Sequence, residues 1–193
     1  MDGYQFYLPL VLIVLATTVG VVTTLYAAYY LHRYERTKQV TTFTLLATTI
    51  TIWTLFALLQ LTATTYRQSY WAYKMLHFGS FTTAPAVLLY GLSMGAARRW
   101  VNWKTISVIV LLLSPVFVLL FTDPVPTLFE DPRLIPFGVF SVIEHGNSLL
   151  YVSYLSAFYA IATVGLAYVV YQTWSDNGFS PGQTAILVSA IFA

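Results

Sequence analysis

The sequence predicts an all-α integral membrane protein, a helical bundle with five complete spans and a sixth that is cut short. Three observations carry that expectation. Only 8% of the 193 residues are charged and 58% are hydrophobic, with a mean hydropathy of +0.72. An ordinary soluble domain carries about 25% charge and needs it to cover its surface. The apolar runs last far longer than the segments of about ten alternating residues that build a transmembrane β-barrel, so the spans must be helical. Finally, six of the nine basic residues fall in just two connectors, as expected when loops are sorted by side.

The first span is expected over about Leu8–His32. The residues before it, MDGYQF, carry an acid and no Lys or Arg, which is the wrong start for a cleaved signal peptide. The second runs from Val40 to Thr62 and is rich in threonine, whose hydroxyls can bond their own helix or a neighbour. The third covers Tyr73–Met94, the fourth Val101–Thr122 and the fifth Asn147–Tyr171. At about 1.5 Å per residue, each is long enough for a hydrocarbon core of about 30 Å. The sixth, GQTAILVSAIFA over 182–193, would cover only about 18 Å. The expectation is therefore one membrane domain over 1–193, with seven spans in the native protein and the last lying beyond Ala193.

Connector charge sets the orientation. Arg33, Arg36 and Lys38 follow the first span, and Arg98, Arg99 and Lys104 follow the third. The positive-inside rule makes that side cytoplasmic and the N-terminus external. The connector between the fourth and fifth spans, 123–146, is then external. It lies within FTDPVPTLFEDPRLIPFGVFSVIEHGN, which concentrates four of the eight prolines and four of the seven acidic residues. Asp123-Pro124 and Asp131-Pro132 read as turn starters, because a residue before proline avoids helical geometry. The apolar pieces between them suit a segment that lies on the outer interface or folds over the bundle mouth as a lid. The plainer alternative is a connector with no other role.

The chemistry available is narrow. With no cysteine there is no disulfide, thiolate nucleophile or cysteine-ligated zinc, and no nucleophile elbow, Walker loop or GxGxxG is present. No catalytic residue and no cofactor is expected, and a net charge of +2 does not suggest nucleic acid. The five spans carry no ionisable residue at their centres, which argues against an ion-coupled transporter or pump. His77 and His145 lie at similar depth near the outer ends of the third and fifth spans, with Glu144 beside the latter. Two imidazoles and a carboxylate could hold a divalent ion. No His-x₃-His spacing supports a metal, however, and headgroup contact or helix capping is the plainer role. Tyr151, Tyr154 and Phe158 recur at helical spacing on the fifth span, as a pocket wall or as packing against a neighbour. The candidate ligand-binding set is His77, Glu144, His145, Tyr151 and Tyr154, with no metal. The remaining aromatics cluster at span ends, as an interfacial belt does.

The order KMLHFGSFTTAPAVLLYGLSMGAARRWVNWK, LLLSPVFVLLFTDPVPTLFEDP and EHGNSLLYVSYLSAFYAIATVGLAYVVYQ resembles the seven-helix N-terminal sensor region of prokaryotic, especially archaeal, histidine kinases. The resemblance covers roughly Tyr66–Gln183. It implies a lipid-exposed proline in the third helix, here Pro85. It also implies a Thr-Asn-Pro exit from the fourth helix, where this chain has Thr122-Asp123-Pro124. Leu128-Phe129 matches the apolar pair that follows, and His145-Gly146 the His-Gly pair before an aromatic face. Family members continue into cytoplasmic sensory and kinase modules of a two-component system, so no phosphoacceptor histidine is expected within 1–193.

The expected function is a multi-pass cell-membrane sensor that detects an external or membrane-borne stimulus and relays it inward. A small-molecule ligand and a homodimer or membrane complex are its candidate partners beside the lipid bilayer. The main alternative is a structural or assembly subunit of a membrane complex. A retinal-binding protein ranks last, since the third span lacks a carboxylate.

Overall fold

The computed structural model describes residues 3–34, 37–122, 127–137 and 140–175. Asp123-Pro124 and the expected sixth span lie outside the described residues. Five long helices follow one another: α1 (Gly3–Arg33), α2 (Lys38–Thr62), α3 (Tyr66–Ser93), α4 (Trp103–Thr122) and α5 (Leu149–Ser175). A short 3₁₀ helix (Ala96–Trp100) turns the chain between α3 and α4. The connections from α1 through α4 are short, and a longer segment joins α4 to α5. Thr37 and Thr65 cap α2 and α3, their hydroxyls accepting from the amides of Val40 and Gln68.

Each expected complete span coincides with one of these helices, but only four of the five are long and apolar enough to cross a membrane: α1, α2, α4 and α5. The exception is α3. It opens with Tyr-Arg-Gln and carries Lys74 and His77, and it has the longest run of buried positions in the bundle. Its neighbours are α2, α5, α4 and the segment between α4 and α5. A helix enclosed by protein has little need of an apolar surface toward lipid.

Two glycines let α3 be gripped this closely. A Cβ on Gly79 would sit 2.7 Å from the backbone nitrogen of Trp53 on α2. One on Gly165 of α5 would sit 2.7 Å from that of Leu88. The threonines of α2 mostly bond their own helix, as Thr44 and Thr48 do to the carbonyls four residues back. Two reach neighbouring helices: Thr42 donates to Ser93 at 2.9 Å, and the Thr51 and Thr24 hydroxyls meet at 3.0 Å. Each such bond contributes about 0.6 kcal/mol. Pro85 is buried within α3 and Pro115 of α4 is exposed. The lipid-exposed proline implied for the third helix is thus not Pro85, because α3 is the enclosed helix.

The stretch expected as a loop is instead largely a β-hairpin. Strands β1 (Phe129–Phe137) and β2 (Phe140–Asn147) pair antiparallel from Phe129–Asn147 to Phe137–Phe140. The register shifts between Glu130 and Arg133, where Asp131 and Pro132 together oppose His145. Asp131 there adopts a φ of 46°, a left-handed conformation that Asp tolerates better than most residues. Proline lacks an amide donor and is accepted at bulges and edges, which describes both Pro132 and Pro136 in a two-stranded sheet. The Asp131-Pro132 pair therefore makes a bulge and does not start a turn. Two strands alone are marginal in water. These are held by Leu128, Phe129 and Ile143, which enter a core with Tyr73 and Phe81 of α3 and Val116 and Leu120 of α4.

Candidate functional site

The site forms where the hairpin meets the first turns of α3 and α5. On α3, Ser69, Tyr73 and His77 are spaced four apart and so share one face. All three are buried. The His77 ring is held from below, its Nδ1 donating to the Tyr73 carbonyl at 3.0 Å. Its Nε2 is then the acceptor in a neutral ring and receives the Tyr151 hydroxyl of α5 at 3.2 Å.

β2 supplies the second imidazole. His145 Nδ1 donates to the Gly146 carbonyl at 2.6 Å, leaving Nε2 to accept the Tyr73 hydroxyl at 2.5 Å. Two histidines are thus matched with two tyrosines, and the Tyr73–His145 bond crosses from helix to hairpin.

Phe129 fills the middle. Its ring centroid lies 5.1 Å from Tyr73, 5.0 Å from His77, 4.8 Å from His145 and 5.5 Å from Tyr151. These are edge-to-face or tilted contacts within the favourable range for aromatic pairs. Only 2% of Phe129 is exposed. Ser148 fastens the hairpin base: its hydroxyl donates to the Leu128 carbonyl at 2.9 Å and accepts from the Tyr151 amide at 3.1 Å. One side chain therefore caps α5 and anchors the residue before Phe129. One turn before Tyr73, the Ser69 hydroxyl is fully buried with no hydrogen-bond partner among the described residues.

Of the five candidate residues, His77, His145 and Tyr151 come together. Tyr154 packs against the edge of the same core, half-buried. Glu144 does not join them. Alternation along β2 sends it to the opposite face from His145, where it is exposed and opposite Arg133. Arg133 itself bonds the Asp131 carboxylate, and that bond pushes the guanidinium pKa up. With Glu144 turned away, the carboxylate of the divalent-ion reading is lost. No cluster of three or more His, Cys, Asp or Glu suited to a metal occurs among the described residues.

Tyr73, Phe129 and Ser148 are the members that sequence reasoning missed. Tyr73 reads as one more interfacial aromatic, although its place one turn before His77 was a usable signal. Phe129 was visible as half of an apolar pair, with nothing to tell which rings it would meet. Ser148 stands immediately before a long apolar run, as an N-cap does.

No curated protein and no solved structure matches the chain. A family profile described as the N-terminal 7TM region of histidine kinase matches residues 12–193, nearly the whole sequence. With its long apolar helices, this makes the chain a multi-pass membrane protein set in a lipid bilayer and suggests a sensor module. It belongs to the family of N-terminal seven-transmembrane regions of histidine kinases.

Proposed function

We propose that the chain is the input module of a signalling kinase and that the hairpin is its stimulus-responsive element. In this reading α3 crosses the membrane with the other four helices. The N-terminus and hairpin are external, and the loops bearing Arg33 and Arg98 are cytoplasmic. The stimulus is a small apolar or aromatic molecule that takes the place of Phe129 among Tyr73, His77 and Tyr151. The observation carrying this reading is Phe129 itself, a side chain of a marginal two-stranded element seated among the rings of Tyr73, His77 and Tyr151 from the bundle, with its own hairpin's His145 beside it. A ligand that prefers the undocked hairpin shifts the equilibrium only by its difference in affinity for the two arrangements. The shift reaches the cytoplasmic ends through α3 and α5, which the site joins directly.

The test is a fusion of the chain to a histidine kinase core in proteoliposomes. Phe129→Ala should change basal autophosphorylation several-fold, and toluene, filling the vacated space, should move it back toward wild type. A folded Phe129→Ala protein with unchanged output would sink the proposal.

A further inference from the structure

At the far end of the bundle from the hairpin, a different site is built between α1, α2 and α3. α1 and α2 touch closely where a Cβ on Gly20 would lie 2.9 Å from the Thr51 hydroxyl oxygen. Between that contact and the α1–α2 connection a cavity of about 300 Å³ opens, bounded by Tyr26, Tyr30, Gln39, Val40, Phe43 and Tyr90. That volume is at the lower end of known ligand pockets. Its walls are apolar and tyrosyl, with Ala27 of α1 supplying room where a larger residue would close it. Gln39 is the amide on the wall.

The rim is basic. Arg33 lies one turn beyond Tyr30, so the two share a face of α1. Lys38 adjoins Gln39 and donates to the Arg98 carbonyl at 3.3 Å, which brings the 3₁₀ helix with Arg98 and Arg99 to the same end. In sequence, Glu35 is the one acid among Arg33, Arg36, Lys38, Arg98, Arg99 and Lys104 in these connectors. An apolar, tyrosine-walled slot on a membrane bundle, topped by positive charge, matches one class of molecule in both halves. From this charge complementarity we infer that the cavity holds an anionic phospholipid. Its acyl chain lies along Val40 and Phe43, and its phosphate meets Arg33 and Lys38. Basic pockets between helices on the cytoplasmic side bind such headgroups in general.

The test uses the full chain in detergent with phosphatidylglycerol and phosphatidylcholine, each carrying a photoreactive diazirine in the acyl chain. Phosphatidylglycerol should label Tyr30, Val40 or Phe43 roughly thirtyfold more than phosphatidylcholine, about fivefold for each of the two basic contacts. The double variant Arg33→Gln/Lys38→Gln should bring that ratio close to one. Val40→Trp, which fills the slot, should abolish labelling there by both lipids while circular dichroism confirms the helices. Excess glycerol 3-phosphate should not compete, since it lacks a chain. Competition by it would instead mark a soluble-anion site and overturn the lipid assignment. Equal labelling by the two lipids would do the same, as would photo-crosslinks from position 30 to a second copy or to a later part of the chain.

Discussion

The Tyr73 hydroxyl donates to His145 Nε2 at 2.5 Å and so ties α3 to the hairpin. The direction is fixed from the other side of the imidazole, because His145 Nδ1 is already committed to the Gly146 carbonyl. Tyr73→Phe keeps the ring against Phe129 and removes only this donor. It should destabilise hairpin docking by about 1 kcal/mol, roughly a fivefold gain in the undocked population. Hydrogen exchange of the β2 amides in Tyr73→Phe should accelerate by that factor, with α2 unchanged.

Phe129→Ala leaves a void among four rings that cannot all close on it. A loss of about 3 kcal/mol is expected. Leu134→Ala, at a half-buried position on the same strand, should lose less. Thermal unfolding of the two proteins in one detergent gives the comparison, and an equal loss would speak against Phe129 as the anchor.

Ser148 has two bonds that substitutions can separate. Ser148→Ala removes both and should cost about 2 kcal/mol, from a lost cap and a lost bond to the Leu128 carbonyl. Ser148→Asp still accepts from the Tyr151 amide but cannot donate while ionised. It should restore α5 and leave β1 loose, and amide exchange resolved by segment distinguishes the two. Full recovery of both segments in Ser148→Asp would contradict the bridging role.

Close packing of α2 on α3 rests on Gly79. Gly79→Ala places a methyl against the Trp53 backbone, which cannot swing aside as a flexible side chain would. Overpacking of this kind typically costs 1–3 kcal/mol. Gly146→Ala meets Glu130 Cβ at 3.0 Å on an exposed part of the hairpin and should be milder. Melting temperatures of the two variants should rank in that order.

The helical architecture was legible because a bilayer imposes it: apolar runs of fixed length, with basic residues sorted into alternate connectors. α3 tested the limit of that reasoning. Its helix was found from position and flanking aromatics, yet its polar residues make sense only once its enclosure by α2, α4, α5 and the hairpin is known. The hairpin was missed because four prolines and two Asp-Pro pairs argue against strands, and a bulge absorbs one pair while an edge position absorbs Pro136. In the site, His77 and His145 were found as rare polar residues at matching depth. Glu144 was grouped with them by adjacency in sequence, and strand alternation separates such neighbours. Phe129 carried no polar signal, so only the fold reveals its central place.

Docking of the hairpin is the central claim, and one paired measurement addresses it most directly. Fusions carrying the wild-type chain, Tyr73→Phe, Phe129→Ala and Ser148→Ala are placed in identical proteoliposomes, and β2 amide exchange and kinase autophosphorylation are read from each. The account predicts that output changes monotonically with hairpin opening across the series. Variants whose hairpins exchange faster while their output stays at the wild-type level would contradict it.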